Sequence, residues 1–340
     1  MHMLELILFT VLVALAFDFI NGFHDSANAI STVVATRVMT PLQAVSMAAV
    51  GNLIGPLFFS TAVAATIGKG IIDTNTIQSV LPREAFVVMI LAALAGAIAW
   101  DLITWYFGIP VSSSHALVGG LVGASAVAVG MNFLLLDGIG KVLLFMVVSP
   151  VLGFIASFIL ALLVMRASSK THPAKVNHWF QKLQLFSAFF YSVTHGTNDA
   201  QKTMGLITIL LVAGGMLSTF NVPLWVILAA HVSISLGTFF GGWRIVKTMA
   251  HKITNLKPYQ GFCAETAGGL VLANMAAFGI PVSTTHAIAG SIMGVGSTRG
   301  TKSVRWALSR RIVIAWVITI PLSAIFAAGA YFVLKPLLAA

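Results

Sequence analysis

Charge is scarce in this chain of 340 residues: only 8% are Asp, Glu, Lys or Arg, and nine are acidic. An ordinary soluble domain carries roughly a quarter charged residues. With 58% apolar residues, a soluble fold could not hide the apolar surface, so lipid has to be part of the solvent. Cysteine is nearly absent too. The single Cys263 excludes an internal disulfide and says nothing about redox compartment. No basic patch precedes the first apolar run, and that run continues past signal-peptide length, so no cleaved targeting segment is expected. Long polar loops are missing, which excludes a soluble domain. The one sizeable loop expected is 166–184, with Arg166, Lys170, Lys175 and Lys182.

What the sequence does contain is a series of apolar stretches, at roughly 3–36, 41–67, 84–107, 111–130, 138–165, 185–214, 222–243, 259–278, 281–297 and 309–336. Their apolar residues are continuous rather than alternating, which predicts helices. Most can supply the ~20 residues that cross a ~30 Å hydrocarbon core. The net charge of +10 is the sort of excess that nucleic-acid binders carry. Membrane topology accounts for it without a nucleic-acid partner, because Lys and Arg gather on the cytoplasmic side. The connections near 37, 166–182, 244–257 and 299–311 hold fourteen of the nineteen cations. Lys69, Arg83, Lys141 and Lys335 fall on the opposite side, and Lys202 lies inside an apolar segment. Both termini are therefore expected outside. The count also requires 84–130 to leave and return on the outer side, and 259–297 on the inner side. Each is expected to be a helical hairpin, re-entrant or spanning, and the two halves to be inverted.

The hairpins share a sequence. Residues 108–123 read GIPVSSSHALVGGLVG and 279–294 read GIPVSTTHAIAGSIMG, identical at nine of sixteen positions at an offset of 171. Upstream, NGFHDSANA at 21–29 matches HGTNDAQKT at 195–203 at an offset of 174. Inverted repeats mark secondary transporters, whose sites lie near the midplane where the repeats meet. The expected organisation is a first repeat over 1–165, a cytoplasmic linker over 166–184 and a second repeat over 185–340.

The hairpin motif carries anion chemistry. Gly108 and Gly279 permit a sharp turn, and Pro110 and Pro281 can begin a helix but not continue one. Ser112, Ser113 and Ser114, with Ser283, Thr284 and Thr285, follow as N-cap and first-turn residues. A helix start offers unpaired N–H groups, hydroxyls and about half a positive charge, which together make an anion site. A capped surface turn between two spanning helices is the alternative for either copy alone. Two copies, one per half, favour the site. His115 and His286 are expected to brace the turns.

The upstream motif carries cation chemistry. Asp25 and Asp199 are the matched acids, and a carboxylate deep in a membrane is expensive and usually functional. Around them lie Asn21, His24, Ser26 and Asn28 in one half, and His195, Thr197, Asn198, Gln201 and Thr203 in the other. Gly22 and Gly196 open the motifs, so each helix is expected to break there. Exposed carbonyls with Asp and Asn would then form a hard-cation site. Lys202 is expected to pair with Asp199 or with the anion. Asp18, Asp101 and Glu265 have no acidic counterparts and are expected to be paired, the alternatives being to line an entry path or to carry protons. A doubly charged oxyanion beside two aspartates totals −4. Two helix ends and Lys202 offset about half of that, so cations must bind with the anion.

At these motifs the sequence resembles the PiT family of inorganic phosphate transporters. The resemblance rests on 21–29, 195–205, both hairpin tips, and NLKPYQGFCAETAGG at 255–269, which is similar to short prokaryotic members. It implies inorganic phosphate held by Ser112–Ser114 and Ser283–Thr285, and Na⁺ or H⁺ coordinated by Asp25 and Asp199 with help from Asn28. No resident cofactor is implied. Eukaryotic members have Gly-Ala-Asn-Asp where this chain has Gly22-Phe23-His24-Asp25, and they have a large central loop that is missing here. Prokaryotic members with this His include proton-coupled carriers, some similar to transporters of neutral metal–phosphate pairs. The expectation is an all-α polytopic carrier of a prokaryotic inner membrane, not an enzyme, with a slight preference for H⁺; a homodimer is left open. The rivals are an anion channel, a sulfate carrier of the same fold, and an enzyme using Ser, His and Asp. Ser114 and His115 are adjacent, so they point apart on a helix, which argues against the enzyme.

Overall fold

The computed structural model describes residues 3–58 and 60–338, and among these it contains helices and no strand. The first half holds α1 (Met3–Ala35), α2 (Pro41–Ile54), α3 (Ala62–Gly70), α4 (Thr74–Val80), α5 (Arg83–Phe107), α6 (Ser113–Ala128) and α7 (Leu136–Ala167). The second holds α8 (Pro173–Ala213), α9 (Leu224–Phe240), α10 (Trp243–Lys252), α11 (Pro258–Ala277), α12 (Thr284–Ser297) and α13 (Trp306–Leu334). By length and composition α1, α5, α7 and α13 can each cross a membrane. The pairs α2–α3 and α9–α10 can do so as bent units, the second bent by 67°.

Two expectations need correction. No break occurs at Gly22 or Gly196: α1 and α8 run unbroken through both motifs. These glycines serve close approach instead. A Cβ on Gly22 would lie 2.2 Å from the carbonyl oxygen of Ile234, and one on Gly196 would lie 2.5 Å from Cα of Asn52. The broken spans are α2–α3, interrupted after Ile54, and α9–α10, interrupted at Gly241 and Gly242. The expected loop 166–184 is mostly helix. α8 starts at Pro173, where proline suits a first helical position, and no breaker follows, so Lys175 and Lys182 ride on an exposed helical face.

Packing repeats between the halves. α6 packs on α13, and its counterpart α12 packs on α7. α5 packs on α1 as α11 does on α8, and α2 packs on α8 as α9 does on α1. Each hairpin is thus held partly by the last helix of the other half. Small residues make this possible, because helices in lipid associate through close backbone contact. A Cβ on Gly290 or Gly294 of α12 would lie 2.2 or 2.3 Å from the carbonyl oxygens of Pro150 and Phe154 on α7. Gly290→Val is accordingly expected to cost about 1–3 kcal/mol through overpacking. A lowered melting temperature in detergent would report it; an unchanged one would mean that α12 and α7 pack less closely.

Candidate substrate and cation site

Both hairpins turn in the same way. Gly108 and Gly279 each have φ of +65°, a region glycine enters without a Cβ clash. Ser112 and Ser283 cap α6 and α12, their hydroxyl oxygens accepting from the N–H of His115 at 3.4 Å and of His286 at 3.1 Å. Ser113, Ser114, Thr284 and Thr285 form the first turns, and all six residues are buried. The arrangement read from the motif is the one observed.

The two tips meet. The rings of His115 and His286, matched residues of the two halves, lie 4.8 Å apart between centroids. His286 also stacks on Trp316 at 3.8 Å, and its Nδ1 lies 3.2 Å from the carbonyl oxygen of Met146. His286 is thus braced from behind its tip, whereas the ring of His115 packs on His286 and its Nδ1 has no hydrogen-bond partner among the described residues.

Asp25 and Asp199 come together from α1 and α8. Ligand atoms of Asp25, His195 and Asp199 all lie within 4.8 Å of one another, in a buried cluster. His24 Nδ1 is 2.6 Å from Asp25 Oδ1, and its Nε2 is 3.1 Å from the hydroxyl of Thr104. His195 Nε2 is 3.3 Å from Asp199 Oδ2, and its Nδ1 is 3.2 Å from Asn52 Oδ1. The carboxylates reach the second tip directly. Thr284 donates to Asp199 Oδ2 at 3.1 Å, and Thr285 donates to Asp25 Oδ2 at 3.4 Å.

The upstream motifs reach across the halves. Asn28 and Lys202 occupy matched positions at the offset of 174. Asn28 Nδ2 donates to the hydroxyls of Thr284 at 3.2 Å and Thr285 at 2.9 Å, on the second half's tip. Lys202 Nζ donates to Ser114, on the first half's tip, and pairs with Asp199. Each tip is thereby held by the other half. Lys202 is buried, so this pairing offsets the cost of keeping its charge out of water.

The amide oxygens of Asn21, Asn28 and Asn198 are buried and accept no hydrogen bond among the described residues. Such oxygens suit a hard cation. Gln201 departs from the expected cation set. Its carbonyl oxygen accepts from the N–H groups of Val63 at 2.9 Å and Ala64 at 3.2 Å, capping the start of α3. The unbroken α8 turns it away from Asp199, two residues earlier. Of the unmatched acids, Asp18 and Asp101 are buried and, contrary to the expected pairing, their carboxylate oxygens have no hydrogen-bond partner among the described residues. Glu265 is paired, accepting from Gln184 Nε2 at 3.0 Å and from Ser187.

Four residues that sequence reasoning missed support the site: Asn52, Thr104, Tyr191 and Trp316. Tyr191 donates to the carbonyl oxygen of Thr284 at 3.0 Å. Only Tyr191 carried a readable signal, one turn before His195 on a helix that had to be taken as continuous. The others lie on distant elements.

A multi-pass helical membrane protein, with two facing helix starts above a paired carboxylate site, belongs to the class of membrane transporters. The sequence profile described as the phosphate transporter family matches residues 21–327, and the chain belongs to that family. A protein of Rhizobium meliloti (strain 1021), named a probable low-affinity inorganic phosphate transporter, is 50% identical over 95% of this chain and 94% of its own length. A Bacillus subtilis (strain 168) protein of the same name is 44% identical over 98% of each chain. A solved structure titled the sodium-dependent phosphate transporter superposes with a TM-score of 0.87 at 26% identity, covering 97% of this chain and 99% of that one. The family comprises transporters, which removes the enzyme reading.

Proposed function

We propose that this protein is a secondary carrier of a prokaryotic inner membrane that moves inorganic phosphate into the cell together with H⁺ or Na⁺. The observation that carries the reading is the meeting of both tips over Asp25 and Asp199, with Asn28 and Lys202 reaching crosswise to Thr285 and Ser114. Phosphate oxygens would accept from the first-turn N–H groups and hydroxyls of Ser112–Ser114 and Ser283–Thr285, and from Lys202. The cation would sit against Asp25 and Asp199, with oxygens from Asn21, Asn28 and Asn198 and with His24 or His195 beside it.

The same bonds give a reason for coupling. Thr284, Thr285 and Lys202 donate to the carboxylates. A cation or proton arriving there satisfies the carboxylates and frees these donors for the anion. Neither ligand then binds well alone, which is what symport requires. The matched packing supports two repeats, 1–165 and 185–340, joined by 166–184, and the charge count supports their inversion with both termini outside. The sodium-dependent structural relative favours Na⁺; His24 and His195 beside the carboxylates favour H⁺.

Labelled phosphate uptake in proteoliposomes, with Na⁺ and pH gradients imposed separately, tests this. One gradient should drive accumulation above equilibrium, and excess sulfate should not compete. Flux indifferent to both gradients would make the protein a channel, and competition by sulfate would change the substrate. Uptake that needs a divalent metal would favour the metal–phosphate pair.

A further inference from the structure

The geometry points to a binding site for an anionic phospholipid in the groove between α7 and α13, floored by α12. The groove encloses about 610 Å³ and runs from Trp306 and Arg310 to Met146 and Val317. Its lining is apolar apart from Ser309 and Arg310. Ser309 is buried with its hydroxyl turned to the carbonyl oxygen of Arg305, which leaves Arg310 as the polar group at the mouth.

Size and charge identify the occupant. Along α13, Trp306 to Val317 spans ~16 Å, against ~15 Å for one leaflet of a ~30 Å core. The depth thus suits an acyl chain whose headgroup stays at the mouth, where Trp306 marks the interface. Arg310 stands there, with Arg311 next to it and Arg305, Lys302 and Arg299 just before it in sequence. None of the nine acids lies in 138–198 or 266–340, so α12 and α13 hold none and α7 holds only Asp137, at its far end. Among the described residues no side-chain ion pair involves Arg310. A second copy docked by a two-fold through this groove would bring arginines against arginines. An anionic headgroup meets them favourably, at about fivefold in affinity per basic residue. The deep end is walled by Trp316, the ring that stacks on His286 behind the second tip. A lipid seated there packs against the support of the phosphate tip.

The test is photolabelling of the purified protein in phosphatidylcholine liposomes doped with a photoactivatable phosphatidylglycerol, with labelled peptides mapped by mass spectrometry. Labelling should concentrate in 146–154 and 306–317. Arg310→Gln should lower it about fivefold, whereas Arg166→Gln, exposed at the end of α7, should leave it unchanged. Val313→Trp, which fills the groove, should block labelling while the protein keeps its gel-filtration profile. Labels spread evenly over the exposed helix faces would overturn the site. So would equal effects of the two arginine variants, or a Val313→Cys variant that cross-links to a second copy. None of these readouts depends on phosphate transport, so their failure is separable from failure of the transport reading.

Discussion

Asp199→Asn is expected to abolish cation-driven phosphate uptake, and to destabilise the protein more than Asp25→Asn does. Asp199 pairs with Lys202, accepts from Thr284 and lies beside His195. Removing its charge takes away a cation ligand and leaves Lys202 buried without a counter-charge. Breaking a buried pair in this way costs about 3–5 kcal/mol. Asp25 has His24 and Thr285 as partners and no lysine, so its neutralisation removes the cation ligand at a smaller cost in stability. The double variant Asp199→Asn with Lys202→Met separates the two effects. Its melting temperature should recover while uptake stays absent. If the double variant regained uptake, the carboxylate would be a structural counter-ion and nothing more.

Lys202→Gln should move the two ligands in opposite directions. The lysine brings a buried positive charge to the tips and donates to Ser114. A charge-assisted hydrogen bond is worth about 1.5–3 kcal/mol, so apparent phosphate affinity should fall about 10- to 150-fold. Asp199 meanwhile loses its internal counter-ion, so the coupling cation should bind more tightly. Uptake kinetics as a function of phosphate at fixed cation, and of cation at fixed phosphate, would show this split. A parallel fall in both affinities would mean that Lys202 only holds the helices together.

The hairpins were legible because their motif is chemically complete in sequence. Glycine, proline and a run of hydroxyls specify a turn and a cap locally, and nothing distant has to be known. The pairing of Asn28 with Lys202 was legible only as a matched position, since one is neutral and the other charged. What each touches depends on how the halves interlock. The motif glycines misled for a related reason. A glycine that permits a break and one that permits contact look alike in sequence, and only the neighbouring carbonyl of Ile234 decides. Gln201 was misplaced because its carbonyl is taken by the start of α3, on a bent span read as continuous. Asn52, Thr104 and Trp316 sit in apolar stretches without a motif, and act only through tertiary contact.

An anomalous-difference map of the protein with arsenate, a heavier analogue of phosphate, tests the site most directly, with the coupling cation present. The expected peak lies between Ser112–Ser114 and Ser283–Thr285, within hydrogen-bond distance of hydroxyls from both tips and of Lys202. A peak at only one tip, or away from Asp25 and Asp199 altogether, would contradict an anion shared between the two halves.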